Sequence, residues 1–293
     1  MDLRQVHETG ARALAWTDSH REGFRPDRPE GGLARLKAVG ELALTAGVLL
    51  QEGAAGARQA TCARRLLDFA WHDLLDSGGV LHRLQHDEPS SSVPLELYAP
   101  FHDGGYRNPP IEDTLRSTRP LVEAAAVSLP PARRLGVVAA AHRLGLASDA
   151  DLAAAGRDTW LGHLPPPWSI DRSTTYDAAH TVFHLTGWGG RPDALPAEVV
   201  DYLRWWLPAW LEECVHQRAW DLLGGLLAAD ACLPEPALPE EGWARLCAAQ
   251  TPDGAVPAED GDLDRVHHAT LMTVLAATLA TSRALTALLP GKP

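Results

Sequence analysis

An all-α chain is predicted, and three observations predict it. Aliphatic residues recur at helical spacing over most of the length, as in Leu66, Leu67, Ala70, Leu74 and Leu75. Runs rich in Val, Ile and Thr are scarce, and no segment alternates as a half-buried strand does. Proline and glycine clusters cut the periodic runs into about ten to twelve helices. Roughly antiparallel pairs joined by irregular loops, without a strict repeat of about 34 or about 40 residues, predict an α/α-toroid-like arrangement ahead of a regular solenoid. The expectation is a single helical domain over residues 1–293.

The elements follow in order. A first helix over 2–16 places Leu3, Val6, Ala13 and Leu14 on one side, and 18–31 is loop. Helices are expected over 33–51 and 60–75. Residues 77–110 hold Gly pairs, several prolines, three consecutive serines and three histidines. That segment is too long for an ordinary connection and reads as irregular and loop-rich, more a lid or binding loop than a floppy insertion. A helix over 111–127 carries Pro120, which should kink it. The next starts at Pro131, which the first turn tolerates, and stops before Gly145. Ser148 opens another to about 161, with acidic residues at the positive end of its dipole. A helix over 174–185 ends at Gly187, Gly189 and Gly190. Residues 196–227 are helical, with Pro208 dividing the run. Helices over 241–249 and 264–289 complete the set.

With 293 residues and 45% hydrophobic content the chain has the material for a large core. A formal charge of -12 excludes non-specific binding to nucleic acid or to anionic membranes, which needs clustered Lys and Arg. Four cysteines without a C-x-x-C pair exclude a disulfide framework. The N-terminal residues lack the shape of a signal peptide, and the most membrane-like stretch, 269–289, carries six Thr and Ser plus Arg283, so it reads as a buried helix. A cytoplasmic protein is expected. Dinucleotide, P-loop and serine-hydrolase motifs are missing, as is the aspartate-rich motif of ionising terpene synthases.

Three constellations carry possible chemistry. In the segment YDAAHTVFH, Asp177, His180 and His184 fall three and four apart, so a helix brings them near one face. Such a pair holds a metal, or the aspartate orients the imidazole as a base; the bland alternative is a polar face with His180 satisfied in the core. His184, among bulky apolar neighbours, is the weaker histidine. His267 and His268 point about 100° apart on a helix, so both cannot serve one ion. His268 shares the stripe of Leu271 and Leu275 and faces inward, unless this first turn simply faces water. Asp221 stands among Trp220, Leu222, Leu223 and Leu226, where a carboxylate is costly unless paired, coordinated or confined to a narrow polar face.

Together Asp177, His180, Asp221 and His268 form a candidate site for a divalent metal, Zn, Fe or Mn, with Asp177, His180 and His268 also the candidate catalytic groups. Cys214, Cys232 and Cys247 read as small hydrophobes rather than ligands. HDGGY at 102–106, Asp253 and Asp260 read first as turn residues. Trp188, Trp205, Trp206 and Trp210 line an apolar pocket, or belong to core or interface.

Two resemblances enter here. ARLCAAQTPDGAVPAEDG resembles the helix-then-turn Q-x-x-D-G pattern of the α/α-toroid superfamily of triterpene cyclases and protein prenyltransferase β-subunits, with matches at Gln250, Asp253 and Gly254, Pro252 where proline is often seen, and Ala255-Val256 in place of the usual tryptophan. That resemblance implies a toroid and makes Asp221 and His268 analogous to two prenyltransferase zinc ligands; the cysteine ligand has no counterpart, since position 223 is Leu. Tyr176-Asp177 through Gly189, Asp221-Leu222-Leu223 and His267 through Leu271 resemble a family of uncharacterised actinobacterial helical proteins found near specialised-metabolite genes. This chain has Gly187 where that family often has Asp.

The function expected from these residues and resemblances is a metal-dependent enzyme acting on a small, partly apolar natural-product intermediate in a central helical pocket. The rivals are a non-catalytic binding or scaffold protein, and a metal-free enzyme with an Asp–His base. A homodimer is left open.

Overall fold

Burial of helix faces, more than local propensity, decides where this chain is helical. The computed structural model describes residues 1–25, 32–54, 56–257 and 263–288. Among them are thirteen α-helices and no strand: α1 (Leu3–Ser19), α2 (Gly32–Glu52), α3 (Ala57–Phe69), α4 (Gly79–Asp87), α5 (Val93–Asp103), α6 (Pro109–Ala126), α7 (Pro131–Arg143), α8 (Asp149–Arg157), α9 (Arg172–Thr186), α10 (Ala197–Gln217), α11 (Trp220–Ala231), α12 (Glu240–Ala249) and α13 (Leu263–Leu288). The all-α expectation holds.

Local chemistry fixes several ends. Asp171 and Thr174 form a reciprocal capping box at the start of α9, and Ser148 and Asp151 do the same for α8. Gly187, at φ 57°, closes α9 in the left-handed conformation. The run expected to divide at Pro208 divides instead at Arg218, whose φ is 56°, and Pro208 sits inside α10.

The segment expected to be irregular, 77–110, is mostly helical and contains α4, α5 and the start of α6. The correction has a physical cause. Leu95, Leu97, Tyr98, Ala99 and Phe101 of α5 are all buried, and that burial outweighs the turn signals around them. Pro94 occupies the first turn, where no N–H is needed. The segment is therefore a wall of the interior.

Six helices succeed one another as packing neighbours: α2 on α5, α5 on α7, α7 on α9, α9 on α11, α11 on α13, and α13 back on α2. Of the others, α1 packs on α13, α3 on α2, α4 on α5, α8 on α7 and α10 and α12 on α11, while α6 packs on α4. Val266–Leu288 is long and apolar enough to cross a membrane by length and composition. Here it is a core helix, with Ala269, Leu271, Val274, Leu275, Ala276 and Leu279 buried. Gly10 lets α1 approach it closely, since a Cβ there would strike Ala277.

Two apolar cores result. One joins α1, α2, α3, α5, α6 and α7, and the other is built mainly from α8 to α12; α13 contributes to both.

Candidate functional site

Five of the six cyclically packed helices, α2, α5, α7, α9 and α13, enclose a cavity of about 460 Å³. Helical periodicity delivers its polar groups. Lys37 and Glu41 lie one turn apart on α2, and Tyr176, His180 and His184 lie at successive turns of α9. Glu96 comes from α5, Arg133 and Arg143 from α7, and His268 from the first turns of α13. Leu44, Leu97, Ala139, Met272 and Leu275 supply apolar wall.

Across the cavity His268 Nδ1 meets Glu41 Oε2, at 3.0 Å. Burial opposes the charge on each partner. For His268 the hydrogen bond and charge of Glu41 outweigh that burial and raise the imidazole above its ordinary pKa. For Glu41 the hydrogen bond and charge of His268, with Lys37 at 3.7 Å, outweigh it and hold the carboxyl below its ordinary value. With Nδ1 bound to Glu41, His268 Nε2 has no hydrogen-bond partner among the described residues.

Tyr176 stands over this pair. Its ring centroid is 6.1 Å from that of His268 and 3.9 Å from that of His180, on which it stacks, and Lys37 Nζ lies 5.6 Å from it. Burial and then the Glu41 charge push its phenol up, so the hydroxyl keeps its proton. His180 Nδ1 lies 3.0 Å from the Tyr176 carbonyl oxygen, which only accepts, so Nδ1 carries the proton. Burial, then the neighbouring His184, lower His180 to about 3. Burial, then Arg143 and Arg133, lower His184 to about 3. Both are neutral imidazoles at physiological pH. Arg133 grips Glu96 with two hydrogen bonds, at 3.0 and 2.9 Å.

A second chamber of about 340 Å³ adjoins the first and shares Leu44, Pro100, Ala139, Arg143, His184 and Trp188 with it. Trp188 lies in the turn after α9 with φ 59°, a conformation that bulky residues rarely adopt. Its N–H donates to the Phe183 carbonyl at 2.8 Å, and its indole stacks on Phe183 with centroids 4.7 Å apart.

The structure brings His180, Asp177 and His268 to one cavity and leaves Asp221 out of its lining. Burial, then Asp171, raise the Asp177 carboxyl above its ordinary value. Asp221 is held by Arg172 at 2.7 Å, joining the first turns of α9 and α11. His267, next to His268, is buried against Phe24 and Trp16.

The expected divalent metal, Zn, Fe or Mn on Asp177, His180, Asp221 and His268, is overturned. Among the described residues no three His, Cys, Asp or Glu side chains stand close enough to hold an ion. The groups are already used: His268 by Glu41, His180 Nδ1 by a carbonyl, Asp221 by Arg172. The four cysteines are free and buried.

Glu41, Glu96, Arg133 and Arg143 are cavity residues that the motif reading missed. A signal existed for Glu41, a single carboxylate in the apolar stretch AVGELALTAG, the same anomaly that drew attention to Asp221. The Q-x-x-D-G residues build a turn. Gln250 donates to the carbonyls of Thr9 and Gly254, and Asp253 accepts from Thr251. Asp260 lies outside the described residues. Of HDGGY, Asp103 pairs with Arg143 and the Tyr106 hydroxyl donates to Asp68. Trp210 is buried and Trp205 is 80% exposed.

No curated protein and no solved structure matches the chain. A family model described as Domain of unknown function (DUF6895) matches residues 10–278, a span that takes in every residue lining both chambers, and the chain belongs to that family.

Proposed function

We propose that this chain is an enzyme that moves a proton on a small, largely apolar organic molecule held in the cavity. His268 is the general base and Glu41 the carboxylate that orients it. The observation that carries this reading is the 3.0 Å contact between Glu41 and His268 Nδ1, with Nε2 left for a guest in a cavity of about 460 Å³. In the neutral base, Nδ1–H donates to Glu41 and the Nε2 lone pair takes the proton. The imidazolium so formed is stabilised by the adjacent carboxylate. The protonated Tyr176 phenol is a hydrogen-bond donor for an oxygen that gains charge as the proton leaves.

The cyclic packing of α2, α5, α7, α9, α11 and α13 supports an α/α-toroid reading of the arrangement, with the site at its centre. A natural-product intermediate as substrate is supported by the family resemblance of the α9, α11 and α13 segments. A non-catalytic binding role is the second reading, favoured by Trp168 and Trp205, 81% and 80% exposed.

The test is deuterium uptake from D₂O into a panel of small apolar ketones and esters, followed by mass spectrometry. Wild type should exchange the protons next to the carbonyl, and His268→Gln should lose about 10²- to 10⁴-fold in rate while keeping its helical circular dichroism. Exchange that survives in a folded His268→Gln, or no exchange with any panel member, sinks the catalytic reading.

A further inference from the structure

The second chamber has a different chemistry from the first. Arg143 and Arg191 both line it, while Asp103 is its one lining carboxylate among the described residues. Arg143 gives only its Nε to Asp103, at 2.7 Å, and its two terminal nitrogens have no hydrogen-bond partner among the described residues. Arg191 gives one terminal nitrogen to Asp149, at 2.9 Å, and Asp149 is 82% exposed, so that contact is weakened by water. Its Nε and other terminal nitrogen are likewise without a hydrogen-bond partner among the described residues. Between this cationic end and the Glu41–His268 end run the shared apolar residues Leu44, Pro100, Ala139 and Trp188. The strained backbone of Trp188 holds its indole at this junction, with the His184 ring 5.8 Å away and edge-on.

We infer that the guest is an elongated monocarboxylate, with its carboxylate on Arg143 and Arg191 in the second chamber and its apolar body passing Trp188 toward His268. Planar guanidinium groups with unused N–H donors match a carboxylate in geometry. Among the lining residues two guanidinium groups face one carboxylate, Asp149 being 82% exposed and outside the lining, so a single negative charge is the match and a phosphate dianion overshoots it. The assignment of the far end as the reacting end rests on the proton-transfer reading above; the anion seat does not.

The experiment is titration calorimetry of the full chain with decanoate, decanol and decyl phosphate, on wild type, Arg191→Gln, Arg143→Gln and Trp188→Ala. Decanoate should bind at least about tenfold more tightly than decanol and more tightly than decyl phosphate. Arg191→Gln, at an exposed position that leaves the core intact, should shrink the acid-over-alcohol advantage, and Arg143→Gln should do so more strongly. Trp188→Ala should weaken acid and alcohol alike. Equal binding of acid and alcohol, or an advantage untouched by both arginine variants, overturns the carboxylate seat and leaves the apolar cavity standing. Tighter binding of decyl phosphate overturns the single-charge assignment. If neither acid nor alcohol binds, the cavity reading falls with it.

Discussion

Glu41 decides what His268 is. Without its negative charge, burial and Lys37 disfavour the imidazolium, and the charge left to favour it, that of Asp221, acts more weakly than Glu41 does. Glu41→Gln should therefore lower the His268 pKa, seen by NMR of the ring protons as titration at lower pH than in wild type; an unchanged midpoint would remove Glu41 from its role. His180 and His184 act on stability in the other direction. Their folded pKa values of about 3 lie below the ordinary histidine value, so below about pH 6.5 the unfolded chain binds protons that the folded chain refuses. Each should cost at most roughly 1.4 kcal/mol of stability per pH unit between those limits. Urea midpoints should fall as pH drops from 6.5 toward 4, and His184→Asn should flatten the slope.

The histidines were legible from spacing alone, because 3.6-residue periodicity decides which side chains share a face. Glu41 was legible in principle as a lone acid in an apolar helix. The pairing of Glu96 with Arg133, and of Arg143 with Asp103, was not, since the partners lie 37 and 40 residues apart on α5 and α7.

At the scale of elements, the sequence pattern located most helices and misread 77–110, where prolines and serines signal a loop and α5 is nonetheless buried. Local signals report what a segment prefers when alone; which wall the remaining helices lack is a property of the assembly. The turn after α12 shows the converse. Gly254 has φ 104°, and a Cβ there would collide with the carbonyl oxygen of Arg12 in α1. Gly254→Ala should destabilise by about 1–3 kcal/mol, from backbone strain and loss of that close approach, and lower the thermal midpoint. A Gly254→Ala protein as stable as wild type would mean the turn does not dock α12 onto α1.

Across the whole molecule, the cavity is the space left between α2, α5, α7, α9 and α13. Ala139 lines both chambers, so Ala139→Phe should abolish binding of guests to either at a stability cost of about 1–3 kcal/mol from overpacking. Retained calorimetric binding in that variant would separate the chambers. The all-α class was written in the periodicity. The cyclic order of helices was not, because it depends on contacts such as α2 with α13 that no local window contains.

That contact also sets a timetable. Glu41 and His268 are 227 positions apart, on opposite sides of almost everything else that forms the cavity. During synthesis the carboxylate emerges early and waits for its imidazole until nearly all the walls have been made. A nascent or proteolytically clipped chain lacking α13 has neither His268 nor the last wall of the cavity, so under the proposed function it would be inactive. If His268 is the base proposed above, pairing it with a carboxylate made so much earlier would keep incomplete copies chemically silent.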